Sequence, residues 1–153
     1  EMSIKQTSGK ILLALYAVQL ENPVKLERSQ IVFQTASKPK LETDSWLKAI
    51  LHTISDNDAM LYNSFNYLLS KGIIANENTK GIMGGLLLLG LHITDYGIDI
   101  VEGIEQGPAE QKVVKSLFNF NFSSNVTVDS LLKAEVGNIV GIGGAISGKV
   151  DLR

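Results

Sequence analysis

Hydrophobic residues recur every three or four positions near the start of the chain, a spacing typical of an amphipathic helix. Those that share one face are Ile11, Leu12, Leu15 and Val18. Ser8 is a suitable N-cap, because its hydroxyl can accept a hydrogen bond from a free backbone amide of the first turn. The pattern predicts a core helix over residues 8 to 21.

The next segment, residues 22 to 37, has two interpretations. Asn22 and Pro23 suit the start of a second helix, since proline is tolerated at the first helical position. Residues 31 to 35, however, include a β-branched run that would equally suit a strand. We favour the helix and keep the strand as the alternative. Regular structure then breaks at Lys38-Pro39-Lys40, because proline lacks a backbone donor.

Two amphipathic helices follow, with only a short turn between them. The apolar stripe of the first consists of Trp46, Leu47, Ile50, Leu51 and Ile54, and that of the second of Met60, Leu61, Phe65, Leu68 and Leu69. Thr43 or Asp44 can cap the first helix, and the turn at residues 55 to 58 supplies a cap for the second. Gly72 is suited to end it. The pattern predicts helices over residues 44 to 54 and 57 to 71.

The periodicity then changes from helical to extended. Residues 73 to 75 and 86 to 93 are two apolar strands, and turn-forming residues separate them, so we predict a hairpin. Thr94 can cap a last helix, whose buried side would carry Ile98, Val101 and Ile104. That helix is expected to end at Gly107-Pro108.

After Pro108 the composition changes, and we place a boundary there between residues 1–107 and 108–153. Phe118, Phe120 and Phe122 alternate with asparagine, which predicts a strand that turns and pairs with residues 126 to 128 as a hairpin. Residues 129 to 135 have a short helical pattern, and the glycine-rich residues after them have no assignment. This extension either belongs to the same globule or serves dimerisation. The expected fold class is α+β, mainly helical.

Composition excludes several classes of protein. The 153 residues are 44% hydrophobic, enough for a proper core. The net charge is −2 and the pI is about 5.7, so any binding of nucleic acid would depend on a local cluster of lysines. With no cysteine, the chain has no disulfide or thiolate zinc site, which fits a cytoplasmic protein. Its uncharged stretches, residues 81 to 94 and 136 to 148, are shorter than the roughly 20 residues of a membrane span, so we expect no membrane partner.

The order helix, turn, helix, strand, loop, strand, capped helix is accompanied by two informative sequences. Residues 67 to 74, Tyr-Leu-Leu-Ser-Lys-Gly-Ile-Ile, resemble the end of a recognition helix that continues into a first wing strand. Residues 91 to 98, Leu-His-Ile-Thr-Asp-Tyr-Gly-Ile, resemble the return strand and the Thr-x-x-Gly start of the next helix. Over about residues 44 to 106 the chain therefore resembles the winged-helix-turn-helix family, particularly small bacterial and phage proteins of the YjcQ-like kind.

This resemblance implies a winged-helix core that binds double-stranded DNA, as a prokaryotic or phage transcription regulator. The helix over residues 57 to 71 would lie in the major groove, with the loop of residues 76 to 85 as the wing. The residues nearest the bases would be Asn57, Tyr62, Asn63, Asn66 and Tyr67. The lysines available for phosphates are Lys38, Lys40, Lys48, Lys71 and Lys80. Asp56 and Asp58 would oppose phosphate binding.

Two further interpretations concern partners. A symmetric DNA site would require a homodimer, for which the C-terminal segment is the candidate surface. The alternative function is a winged-helix module for protein interaction without DNA binding, which would use an apolar wing and the phenylalanine-rich segment.

The remaining motifs do not indicate an enzyme, a cofactor or a metal. His52 and His92 have no second ligand at a metal-binding spacing. Glu102 and Glu105 lie one turn apart, which is more typical of a solvated helix face than of paired catalytic carboxylates. Residues 143 to 149 match the start of a phosphate-binding loop, but Val150 stands where serine or threonine would hold magnesium.

Overall fold

Seven α-helices and six short strands make up residues 2–35, 37–80 and 85–137, the part of the chain that the computed structural model describes. The helices are α1 (Ile4–Glu21), α2 (Pro23–Arg28), α3 (Ser45–Ile54), α4 (Asp58–Ser70), α5 (Asp95–Glu102), α6 (Pro108–Phe118) and α7 (Val128–Glu135). The strands are β1 (Gln30–Phe33), β2 (Leu41–Glu42), β3 (Ile74–Ala75), β4 (Asn78–Lys80), β5 (Leu86–Leu89) and β6 (His92–Ile93). A 3₁₀ helix, Gly103–Glu105, continues α5. The fold is α+β and mainly helical, as predicted.

The first helix is the centre of the fold. All four of its predicted core residues are buried, and α1 packs against each of the other six α-helices. Ser3 rather than Ser8 caps it, in a capping box with Gln6. Ser8 is instead buried, and its hydroxyl donates to the backbone oxygen of Ser64 in α4, 3.3 Å away. α1 therefore holds α4 through a buried polar contact as well as through apolar packing.

The preference for a helix throughout residues 22 to 37 is wrong. The helix α2 forms at the predicted cap, with Asn22 accepting a hydrogen bond from the backbone amide of Lys25, but it ends at Arg28. β1 follows, and Ile31 and Phe33 point into the core. The reason is pairing with a distant strand: β1 is antiparallel to β5, with Ile31 opposite Leu88. The β-branched run thus forms the strand that we kept as the alternative.

The strands form two antiparallel ladders. Four of them lie in the order β2-β1-β5-β4, while β3 pairs separately with β6. The predicted hairpin over residues 73 to 93 is confirmed, but residues 78 to 80, predicted as loop, form β4 because they pair with β5. Gly90, which has a φ of +68°, divides the returning arm into β5 and β6. β1 extends this hairpin into a sheet because it pairs with the outer part of the returning arm.

Both predicted helices of the helix-turn-helix segment are confirmed. Asn57 caps α4 by accepting a hydrogen bond from the amide of Met60 at 3.1 Å, whereas the side chain of Asp44 makes no such bond at α3. α4 ends in a Schellman motif: the amide of Gly72 donates to Leu69 and that of Ile73 to Leu68. Gly72 has a φ of +71°, a left-handed conformation that glycine adopts without strain. This motif turns the chain directly into β3.

Thr94 and Gly97 fasten the start of α5 to that turn. The hydroxyl of Thr94 donates to the backbone oxygen of Gly72 at 2.6 Å and accepts from the amide of Gly97 at 3.0 Å. A Cβ atom on Gly97 would lie only 2.2 Å from the backbone oxygen of Ile73. The Thr-x-x-Gly sequence therefore caps a helix and allows that helix to approach β3 closely.

The predicted C-terminal hairpin is wrong. Residues 108 to 118 form α6, Asn119 ends it in a left-handed conformation with φ 52°, and the described chain has no strand from residue 119 to 127. Phe118 and Phe120 are buried against Gly9 of α1, so their hydrophobic side chains are covered by a helix rather than by a partner strand. The short helix predicted at residues 129 to 135 is confirmed as α7.

Buried residues of α6 and α7 belong to the same hydrophobic cluster as those of α1, α3 and α4. Residues 138 to 153, which include the segment resembling a phosphate-binding loop, lie outside the described residues. In the part of the chain that is described, no helix has both the length and the apolar character needed to cross a membrane.

Candidate nucleic-acid interface

One side of α4 faces solvent and carries no charge. Ala59, Asn63 and Ser70 are exposed and Asn66 is half-buried, while Leu61, Ser64, Phe65 and Leu68 on the opposite side are buried. The spacings of four, three and four residues place the first set on one helix face, which we call the α4 stripe: Ala59, Asn63, Asn66 and Ser70. The stripe presents amide, hydroxyl and methyl groups to solvent.

Of the asparagines predicted to contact bases, Asn63 is the most available. Asn63 is exposed, and its side-chain amide makes no hydrogen bond to any other described residue. The amide nitrogen of Asn66 donates to the backbone oxygen of Tyr62 at 3.2 Å, which leaves its oxygen and its second N–H unused. Asn57 lies at the start of α4, where its side-chain oxygen is already engaged as the N-cap. These three asparagines therefore differ in what they can offer a ligand.

The two tyrosines predicted to contact bases, Tyr62 and Tyr67, do not project freely into solvent. Tyr62 packs edge to face on Phe33 of β1, with ring centroids 5.5 Å apart. The hydroxyl of Tyr67 donates to the backbone oxygen of Leu117 in α6 at 2.8 Å. Burial, with a smaller contribution from Tyr96, raises the pKa of Tyr67 above its ordinary value. Both tyrosines are half-buried and hold α4 between the sheet and α6.

Three of the predicted lysines lie near the N-terminal end of α4. Lys38 is exposed between β1 and β2, and Lys40 and Lys48 each place their Nζ atom 3.9 Å from a carboxylate oxygen of Glu42. These four residues form what we call the basic end: Lys38, Lys40, Glu42 and Lys48. The formal charge of these four residues is +2, since Glu42 offsets one of the three lysines, and the neighbouring Asp58 lowers the local sum to +1.

Asp58 ties the basic end to α4. One of its carboxylate oxygens accepts a hydrogen bond from the backbone amide of Leu41 in β2 at 3.0 Å, and the other lies 2.9 Å from Nε2 of His52 in α3. The sequence predicts Asp58 as part of a turn that caps α4 and as a charge that opposes phosphate, but it does not predict these two contacts. Its structural role was missed because Leu41 and His52 lie 17 and six residues away in the sequence.

Lys71 lies at the opposite end of α4. It is exposed, it forms the C-cap, and its Nζ atom lies 5.6 Å from the centre of the Tyr67 ring. Since α4 has 13 residues, the two ends are about 20 Å apart. Lys80 lies in β4, opposite Leu87 of β5, and the tip of the predicted wing, residues 81 to 84, is outside the described residues.

The residues considered for catalysis or metal binding have other contacts. His92 places Nδ1 3.1 Å from the backbone oxygen of Gly90, while Glu102 and Glu105 each accept a hydrogen bond, from the Tyr16 hydroxyl and the Val128 amide. Within the described residues, no group of three or more histidine and carboxylate side chains could hold a metal ion.

Comparisons of this chain with protein-family models, curated proteins and solved structures identify no match, so the α4 stripe and the lysines at its two ends are the basis for a functional proposal.

Proposed function

We propose that this chain is a winged-helix protein that binds double-stranded DNA, with α4 in the major groove, and that it acts as a transcription regulator of prokaryotic or phage type. The order of elements supports the fold. Two helices, α1 and α2, and two short strands, β1 and β2, precede the α3–α4 pair, and a hairpin in the position of a wing follows it. β1 pairs with the returning arm of that hairpin, which fixes the hairpin beside the helix pair.

The α4 stripe is the observation that carries the proposal. Three of its four residues are exposed and none is charged, so a base edge can approach it without the repulsion that a carboxylate would cause. An asparagine amide can pair with adenine through two hydrogen bonds, and a methyl group such as that of Ala59 suits the methyl group of thymine. Asn63 has the free hydrogen-bonding capacity that this contact requires.

The lysines supply the second requirement, which is contact with phosphates. Lys71 at one end of the stripe and the basic end at the other would reach the two backbones that border a groove about 12 Å wide. The whole protein is acidic, so this local arrangement has to provide the electrostatic attraction.

Fluorescence anisotropy with a labelled pool of random duplexes, repeated over a range of salt concentrations, tests the proposal. We expect the affinity to fall steeply with salt, and Lys48→Gln and Lys71→Gln each to reduce the slope of log K against log salt by about 1. Asn63→Ala should leave that slope unchanged, and it should weaken binding to duplexes selected from the pool about five- to 100-fold.

Lys133→Gln is the matched control, because Lys133 is an exposed lysine on α7, outside the interface, and should leave DNA binding unchanged. Absence of binding at low salt, or equal losses from Lys133→Gln and Lys71→Gln, would contradict the proposal.

A protein-interaction module without DNA binding is the second candidate, and a surface between α5 and α6 favours it. Tyr96 and Val113 are 50% and 46% exposed and line the same surface depression, and adjoining exposed apolar side chains can mark an interaction site. Phe118 and Phe120 are buried within the chain and are not available to a partner, so the Tyr96 and Val113 surface replaces them in this second candidate. A dimer in light scattering, together with no DNA binding at low salt, would favour this function.

A further inference from the structure

A cleft of about 480 Å³ opens between α1, α7 and the 3₁₀ helix that follows α5. Its volume lies within the range of small-molecule sites in proteins. Leu13 and Ala17 of α1 and Leu132 of α7 form its apolar floor, and Leu20 stands at its rim with 68% of its surface exposed. An apolar ligand could therefore cover hydrophobic surface that the described residues leave open to water.

Carboxylates surround this apolar floor. Glu102, Glu105 and Asp129 line the cleft, and all three are exposed. Asp129 pairs with Lys133 at 3.1 Å, whereas Glu102 and Glu105 form no ion pair with any described residue. With three acidic side chains and one lysine beside them, the cleft has a formal charge of −2.

Two hydrogen bonds fix the unpaired carboxylates without neutralising them. The hydroxyl of Tyr16 donates to Oε2 of Glu102 at 2.7 Å, and the backbone amide of Val128 donates to Oε2 of Glu105 at 2.7 Å. Each carboxylate keeps its negative charge and a free oxygen for a ligand. The charged groups are thus already positioned, which lowers the entropy cost of binding.

We propose that this cleft binds an organic cation that has an apolar body, such as a hydrophobic amine or a quaternary ammonium or phosphonium ion. The cationic group would lie beside Glu102 and Glu105, and the apolar body would cover Leu13, Ala17 and Leu20. An anion would be repelled by the same carboxylates, and a neutral apolar molecule would remove them from water without compensation. This inference does not depend on DNA binding, because the cleft and the α4 stripe share no residue.

Two probes of nearly the same shape and opposite charge test the proposal by isothermal titration calorimetry. Tetraphenylphosphonium should bind the 153-residue chain, and tetraphenylborate should bind at least tenfold more weakly. Spermidine, which is cationic but lacks an apolar body, should also bind at least tenfold more weakly. Equal affinity for the two tetraphenyl ions, or no binding of the phosphonium, would overturn the proposal.

Substitutions then locate the site. Glu102→Gln and Glu105→Gln each keep one oxygen that can accept the hydrogen bond from Tyr16 or Val128, but they remove the charge, so each should weaken phosphonium binding about two- to fivefold. Leu20→Ser should weaken it as well, and the high exposure of Leu20 means that folding should be little affected. Glu77→Gln is the matched control, an exposed carboxylate between β3 and β4 that should have no effect.

Methyl NMR spectra of the wild-type protein provide a measurement that does not depend on any variant. Phosphonium should shift the signals of Leu13, Leu20 and Leu132, while those of the α3 leucines Leu47 and Leu51 should remain unchanged. Shifts confined to leucines outside the cleft, or equal weakening by Glu77→Gln and Glu102→Gln, would refute this location.

Discussion

Asn57 and Asn63 show how the same side chain acquires different roles within one helix. Asn57 precedes α4, so its oxygen faces the free amides of the first turn and accepts from Met60. Asn63 lies in the middle of the helix, where all nearby amides are already bonded to the backbone, and its side chain faces solvent. The sequence predicts both residues near DNA. Their positions within the helix explain why the side-chain amide of Asn63 is free and that of Asn57 is engaged.

Tyr16 provides a prediction at the same scale. Burial, followed by the hydrogen bond to Glu102 and by the charges of Glu102 and Glu105, raises its pKa from 10.0 to about 12. The folded state therefore favours the neutral phenol. The resulting stabilisation is complete below pH 10 and is lost as the pH rises through about 12.

Tyrosinate absorbance of the folded protein measures this shift. The difference between the wild-type curve and that of Tyr16→Phe should show one phenol with a midpoint near pH 12. In Glu102→Gln that midpoint should fall, because the negative charge is gone, yet stay above the ordinary value, because burial is the largest cause. A Tyr16 midpoint at pH 10 in the wild-type protein would contradict both the burial of the ring and its hydrogen bond to Glu102.

At the scale of elements, close backbone approach at Gly97 fixes α5 against β3. The substitution Gly97→Ala would place a methyl group 2.2 Å from the backbone oxygen of Ile73, which cannot move without shifting the whole α4–β3 turn. We expect a loss of about 1–3 kcal/mol in the free energy of unfolding, as for other overpacked sites. Chemical denaturation followed by circular dichroism measures it.

Gly103→Ala is the control for this substitution. Gly103 follows the same helix with ordinary helical angles, and its new methyl group would meet only the exposed side chain of Glu110, at 3.1 Å. Its effect should be within about 1 kcal/mol, the difference between glycine and alanine in helix propensity. Equal losses at Gly97 and Gly103 would show that the approach to Ile73 is not the cause.

The elements that sequence predicted well are those whose signals are local. The apolar stripes of α3 and α4 lie within each helix, and the residues that cap α4 and α5 lie directly beside the helices they start. The prediction of β1 stayed open between a helix and a strand because the pairing of β1 with β5 joins residues more than 50 positions apart. Periodicity alone cannot contain that information, since a short apolar run suits either a helix or a buried strand.

The prediction of a strand around Phe118, Phe120 and Phe122 was wrong for a related reason. Alternating aromatic residues usually indicate a strand with one buried face. Here Phe118 is the last residue of α6 and Phe120 follows the left-handed Asn119, so two different conformations bring both rings to α1. The signal that could have revealed this is Gly9, whose missing side chain leaves room for both rings, but nothing near it in the sequence identifies them as its neighbours.

The same long-range contacts limited what could be predicted about the site. Sequence places Tyr62 and Tyr67 on the outer face of α4, and both do lie outside its buried stripe. β1 and α6 then cover them, because Phe33 and the carbonyl of Leu117 come from distant parts of the chain. Of the residues predicted to contact bases, only Asn63 and Asn66 keep side-chain groups that are free to hydrogen-bond a ligand. The α4 stripe therefore includes fewer of these residues than the sequence predicts.

At the scale of the whole molecule, α1 connects the two regions to which we assign functions. It holds α4 through Ser8 and lines the acidic cleft through Leu13, Tyr16, Ala17 and Leu20. α6 and α7 pack on the same helix. The C-terminal elements therefore belong to the same core as α4, and their unfolding should be coupled to that of α3 and α4.

Phe118→Ala tests this coupling because the only tryptophan of the chain, Trp46, lies in α3, far from the substitution in sequence. Phe118 is 1% exposed, so its truncation should cost about 3–5 kcal/mol. If the core is continuous, Trp46 fluorescence and far-ultraviolet circular dichroism should shift together to lower denaturant in a single transition. Val113→Ala, on the exposed side of α6, should change both transitions by less than about 1 kcal/mol. A Trp46 transition that Phe118→Ala leaves unchanged would instead mean that residues after Pro108 unfold separately from α3.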